Sequence, residues 1–277
     1  MGFFIVRTFN PWIFTAVLSI VFTGCKTELA YPHPPQCIGH GGMGIESLQP
    51  MNSKSSVLKC LELGADGVEM DIQMSNDNIL FAFHDADLNN TSLADGTINS
   101  HQATSIESCT LNGLLNGNEK IERLDSMFKW LDHFPNATVT LDIKLYSKQP
   151  YTTYIQSFAK TLHQFLEDHP RKRVLIESQD TSFLNLLHLL SPNAEVYYYT
   201  SNFQDGLAAV TKFDYSGLTM DHENVTKQEV DSLHVKNYKI SVWNVKTSKQ
   251  NREAIQLTPD YIQSDEVRDL LQKIKPK

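Results

Sequence analysis

The chain has 277 residues, 41% of them hydrophobic and 20% charged, enough for one large globular domain of roughly 250 residues. Its 24 basic and 32 acidic residues leave a formal charge of −8, which argues against nucleic acid as a partner. No block of like charge gathers the acids into a tail, so they read as solvated surface.

The first 25 residues differ from the rest. "MGFFIVRTFNPWIFTAVLSIVFTGC" has one cation, Arg7, and an apolar run from Trp12 to Phe22 broken only by Thr15 and Ser19. Small residues then lead into Cys25, the pattern of a secretion signal. The run is too short for the ~20 apolar residues of a membrane-spanning helix. "FTGC" resembles a bacterial lipoprotein cleavage box, which makes residues 1–24 a lipoprotein-type signal peptide and Cys25 the lipid-bearing first residue of the mature chain. Ordinary cleavage near Gly24 is the alternative. The lipoprotein reading places the protein across the inner membrane, held to a membrane by an N-terminal lipid anchor in the cell envelope. Residues 25–36 carry Pro32, Pro34 and Pro35 and suit an extended tether. Of the remaining cysteines, Cys37, Cys60 and Cys109 have neither a disulfide pattern nor metal-type spacing, so they read as small buried apolar residues.

From about Cys37 to the end, apolar runs suited to buried strands alternate with helical patterns. Strands are expected at Cys37–His40, Gly67–Gln73, Ile79–His84, Thr138–Lys144, Arg173–Glu177, Glu195–Tyr199, Gly217–Met220, Lys239–Val245 and Tyr261–Gln263. Helices are expected at Lys54–Leu63, Leu124–His133, Tyr154–Glu167, Phe183–Leu190, Lys227–Leu233 and Ser248–Leu257. Such alternation signals a parallel sheet with helices outside. Nine strands are one too many for a closed barrel of eight. Between Met74 and Ile79 lies only "SNDN", too short for a helical crossover but suited to a hairpin turn. Ile79–His84 is then the returning arm of a hairpin grown from the second strand. The expected fold is an α/β, (β/α)8 TIM-type barrel over residues 37–277.

The same hairpin offers a site. Glu69 and Asp71 are two apart on a strand and share a face. With the turn centred on Asn76-Asp77 or on Asp77-Asn78, His84 falls opposite Glu69 or Asp71 and shares that face. Met70, Ile72, Phe81 and Phe83 fall on the other. In a barrel of this type the upper rim is where chemistry is found. A merely wet polar face fits the same alternation.

Taken together, "HGG" (40–42), "LELGADGVEMDIQ" (61–73), "FHD" (83–85), "LDIK" (141–144), "VWNVK" (242–246) and "DYIQSD" (260–265) resemble the glycerophosphodiester phosphodiesterase family in order and spacing. The resemblance implies a TIM-type barrel, a divalent metal, Ca2+ or Mg2+, and hydrolysis of glycerophosphodiesters to glycerol phosphate plus an alcohol. Position by position it implies Glu69, Asp71 and Asp142 as metal ligands, His40 and His84 as the acid/base pair and Lys144 beside the phosphate; Trp243 reads as a core aromatic or as a wall against the glycerol or leaving group. The residue chemistry agrees: three carboxylates make an oxygen-donor site for a hard cation, and imidazoles exchange protons near neutral pH. The attacking group is water or the glycerol 2-hydroxyl, which gives a cyclic phosphate. No matched position supplies a Ser or Cys nucleophile. Lysophospholipid or cyclic glycerol phosphate hydrolysis on the same barrel is a second enzymatic reading, and a non-catalytic surface binding protein a third.

The chain departs from the family where His-Arg-Gly becomes His40-Gly41-Gly42, where Glu-Asn-Thr becomes Met51-Asn52-Ser53, and where Asp142 replaces Glu. Losing an Arg and a Glu together avoids a stranded buried charge if the two normally pair. Asn78 stands in for a turn Gly. Residues 86–121 are rich in turn formers and read as an insertion near the mouth, with Thr104 and Glu107 at capping-box spacing for one short helix.

Overall fold

The structure, a computed structural model, describes Met1 and residues 34–275 apart from 46, 93–94, 112–118, 148–149 and 171–172. Pro34–Lys277 forms one compact unit. The signal sequence, Cys25 and the tether as far as His33 lie outside the described residues. Among the described residues no helix is long and apolar enough to cross a membrane.

Eight parallel strands close a barrel. They are β1 (Gln36–Gly39), β2 (Gly67–Met74), β5 (Thr138–Ile143), β6 (Val174–Ser178), β7 (Glu195–Tyr199), β8 (Gly217–Asp221), β9 (Lys239–Val245) and β10 (Tyr261–Ser264). Each pairs with the next, and β1 pairs with both β2 and β10, which leaves no barrel edge. The helices between them are α1 (Lys54–Glu62), α3 (Leu124–Leu131), α4 (Tyr151–Asp168), α5 (Thr181–Leu190), α6 (Phe203–Phe213), α7 (Lys227–Val235), α8 (Ser248–Leu257) and α9 (Val267–Ile274). Their starts are signalled locally. Ser53, Asp180 and Asn202 cap α1, α5 and α6, and Thr226 and Glu229 form a capping box on α7.

Strand alternation sorts side chains into two environments. Met70, Ile72, Leu141, Ile176, Leu218 and Val242 point outward and pack with the helices in the main apolar core. Inside, Ile38, Leu175, Tyr197 and Tyr261 form a separate apolar floor. Above it, Glu69, Asp71, Asp142, Glu177, Thr219, Ser241 and Gln263 are buried polar residues. The barrel is therefore dry below and polar above, the layering that puts a site at the C-terminal mouth.

The hairpin arm is β3 (Leu80–Ala82), antiparallel to β2. Its register differs from both expected ones: Ile72 faces Ala82 and Gln73 faces Phe81. Asn78 adopts a left-handed conformation with φ 61°, which adds one residue to the turn and shifts the pairing by one. Phe81 and Phe83 consequently do not join Met70 and Ile72. They enter a second apolar core with Leu88, Ile98, Ala103, Ile106, Cys109 and Ile121, so they anchor the insertion. The short helix expected there is α2 (Ala103–Glu107), but Thr104 lies inside it instead of capping it. The Ala103 backbone N–H donates to Asp77 of the hairpin turn, 2.9 Å away. A short strand β4 (Glu122–Arg123) pairs with β3 and leads the chain back to the barrel.

Candidate active site

Four acids meet above the apolar floor. Glu69 and Asp71 come from β2, Asp142 lies beside Asp71 on β5, and Glu177 lies beside Asp142 on β6. Each is at most 8% exposed. Glu69, Asp142 and Glu177 each place an oxygen within 4.8 Å of the others. Glu69 Oε2 accepts from the Gly41 backbone N–H at 2.8 Å, while Oε1 is buried with no hydrogen-bond partner among the described residues. An orphaned buried carboxylate oxygen is costly, and with all-oxygen neighbours it fits a hard divalent cation.

Lys144 leaves the end of β5 and places Nζ 2.6 Å from Asp142 and 3.0 Å from Asp71. Burial would lower its pKa, but those two carboxylates hold it well above the usual lysine range. Asp71 is gripped on its other side by Asn52, which donates to Oδ2 at 2.7 Å and accepts from the Asp71 backbone N–H at 2.9 Å. Burial opposes ionisation of Asp71, yet Lys144, His84, Asn52 and His40 keep its pKa below the ordinary aspartate value. Glu69 and Asp142 go the other way, raised by burial and by neighbouring acids. Burial and Asp142 push Glu177 up to about 7.

His40 follows β1 and donates from Nδ1 to Asp265, just past β10, at 2.7 Å. An acceptor-only carboxylate fixes that tautomer and leaves Nε2 for proton exchange. Burial pulls the His40 pKa down, but Asp265 outweighs it and the net direction is up. His84 lies beyond the end of β3, half exposed, with Nδ1 2.9 Å from Asp85. His84 is one of the neighbours that lower the Asp71 pKa. Trp243 on β9 stands edge-on to Tyr199, ring centroids 5.3 Å apart, and lines a cavity with Tyr198, Tyr199 and Asp221. A neighbouring cavity is lined by Asp142, Lys144, Tyr146, Tyr151 and Tyr199. The structure thus gathers Glu69, Asp71, Asp142, Lys144 and His40 closely, with His84 and Trp243 at the margins.

Three contributors were not singled out from the sequence: Asp265, Asn52 and Glu177. Asp265 and Asn52 sit within the quoted or compared motifs, and only the fold shows what they hold. Glu177 is one polar residue in an apolar strand, and its parity with Asp142 across β5–β6 is its signal. The paired departures also become adjacent: a Cβ on Gly41 would lie 2.6–3.0 Å from the side chain of Met51. Gly41 has φ +54°, so Met51 fills space that a side chain at position 41 would need.

Fold and site together define a TIM-type barrel enzyme with its polar groups collected at the C-terminal mouth. The sequence profile of the glycerophosphoryl diester phosphodiesterase family matches residues 43–269. The chain belongs to that family and is a phosphoric diester hydrolase. His40 precedes the matched stretch, and its bond to Asp265 is what ties it to the site. A glycerophosphodiester phosphodiesterase of Bacillus altitudinis is 24% identical over 230 residues, 80% of this chain and 91% of the relative. One from Caldanaerobacter subterraneus is 20% identical over 229 residues, 82% and 93% of the two chains. Among solved structures, an Oleispira antarctica phosphodiesterase in complex with the product sn-glycerol-3-phosphate superposes with a TM-score of 0.77 at 21% identity. That match covers 87% of this chain and 97% of the other.

Proposed function

We propose that the protein hydrolyses glycerophosphodiesters to glycerol phosphate and an alcohol, with a divalent cation, calcium or magnesium, at the acid cluster. The observation that carries this reading is the buried, unpartnered Glu69 Oε1 among carboxylates. Glu69, Asp71 and Asp142 are the family-matched positions that hold the cation. When bound, it polarises a phosphoryl oxygen and offsets charge building on the phosphate. Lys144 binds the phosphate from the protein side, its proton secured by Asp71 and Asp142. His40, oriented by Asp265, exchanges a proton at Nε2, and His84 serves as its partner in acid/base exchange. Trp243 packs against the glycerol or the leaving group. The product bound to the Oleispira relative supports the substrate class.

The leader and Cys25 add a location: a cell-envelope lipoprotein, tethered through residues 25–36, that meets deacylated lipid headgroups outside the cytoplasm. The function is tested with purified protein on glycerophosphocholine, glycerophosphoinositol and lysophosphatidylcholine. Glycerol phosphate should appear from the first two, stop with a chelator and return with calcium or magnesium. His40→Ala should cost roughly 10²–10⁴ in kcat. Release from lysophosphatidylcholine alone would replace this substrate assignment.

A further inference from the structure

The acid ring contains one more carboxylate than the family resemblance accounts for. We infer that Glu177 is a direct protein ligand of the bound cation, taking up reach that Asp142 gives up by being one methylene shorter than Glu. The inference rests on the metal-dependent reading above.

Distance comes first. Ligand oxygens at about 2.4 Å from a shared calcium lie no more than about 4.8 Å apart, and one oxygen each from Glu69, Asp142 and Glu177 meets that limit. Charge comes second. Lys144 forms ion pairs with Asp71 and Asp142, while among the described residues Glu177 is met by the neutral donors Thr219, at 2.6 Å, and Gln263, at 3.0 Å from each oxygen. A carboxylate buried inside a barrel without a cation is expensive to ionise. Four acids against one lysine leave room for a divalent charge. Third, Glu69 Oε1 has no partner in this same ring, so the polar capacity there is unspent. Thr219 and Gln263 hold the Glu177 side chain from strands across the interior, so its carboxylate is preorganised for a ligand.

The test is calcium and magnesium titration by calorimetry of the full chain against Glu177→Gln, which keeps the shape and can still accept from Thr219 and Gln263. Tenfold or greater loss of affinity is expected, on the scale that removing support from a metal site produces. Adding Asp142→Glu to Glu177→Gln should recover most of that loss, because the longer acid restores the reach; a purely structural Glu177 gives no such rescue. Circular dichroism checks the fold. If Glu177→Gln does not fold, a calcium-soaked crystal of the unaltered chain decides, with the ion expected about 2.3–2.6 Å from a Glu177 oxygen. Affinity within twofold of the unaltered chain, or an ion beyond coordination distance of Glu177, overturns this inference alone. A native chain that binds neither cation overturns the metal-dependent reading and this inference with it.

Discussion

The 2.7 Å bond from His40 Nδ1 to Asp265 joins residues that are 225 positions apart. It decides which ring nitrogen carries the proton and how tightly the imidazole holds a second one. Burial opposes the imidazolium and Asp265 favours it, with the balance upward. Asp265→Asn should therefore bring the His40 pKa down, read from its ring proton shift by NMR titration, and should narrow the alkaline limb of the His40 charge. An unchanged titration would show that Asp265 does not govern it. Stability follows the same sign. A raised histidine pKa contributes fully below about 6.5, and the contribution is lost as pH rises through the folded value. The Glu69–Asp71 and Asp142–Lys144 pairs are legible as shared strand faces because two-residue spacing on one strand carries them, whereas His84 was placed by a hairpin register that the structure shifts by one. Asp265, Asn52 and Glu177 act across long separations, and a sequence alone does not say which buried oxygen faces which donor.

At the scale of elements, the hairpin after β2 was legible as a hairpin but not in its register. Alternation fixes a face only once the number of turn residues is known, and Asn78 at φ 61° adds one. Asn tolerates that conformation and Ala does not. Asn78→Ala is expected to destabilise by about 1 kcal/mol, and Asn78→Gly to be near neutral, measured as shifts in urea midpoint. Equal effects would mean the turn is held by something other than backbone conformation. Two helices were missed for different reasons. In α6, Gly206 lies near the N-terminal end, where an added Cβ would lie 2.9 Å from both Leu218 and Thr200. Close packing on the sheet requires the glycine, and the glycine weakens the helical pattern. In α9, Val267 and Leu270 are buried on one helical face, and the helix is only eight residues long, near the limit at which periodicity can be read. The short β4 offered no pattern at all, because two residues cannot show an alternation.

On the scale of the whole molecule, the strand count after removing β3 was enough to indicate a closed barrel, since closure is a property of order and number. The division of its interior into apolar floor and acidic upper layer is a property of packing. It concentrates Glu69, Asp71, Asp142 and Glu177 where water is scarce, which makes the fold's stability depend on pH and, on the proposed metal-dependent reading, on a cation. Take Glu177: its ordinary pKa is 4.5 and in the folded chain it is pushed up to about 7. Between those values the native state holds a proton that the unfolded chain has released, so the contribution is complete below 4.5 and disappears as pH rises through 7. A shift of that size corresponds to roughly 3 kcal/mol, and Glu69 and Asp142 shift in the same direction. Asp71 shifts downward, so its contribution changes only in more acid solution. The chelated protein should therefore lose melting temperature from pH 5 to pH 8. A cation reverses the slope because it binds deprotonated acids and gains affinity as they ionise; at a hundredfold excess over Kd it stabilises the fold by about 2.7 kcal/mol. Thermal melts across that range, with chelator and with calcium or magnesium, should diverge steadily toward alkaline pH. Parallel curves would mean that the buried acids are neutralised within the protein and that no cation completes them.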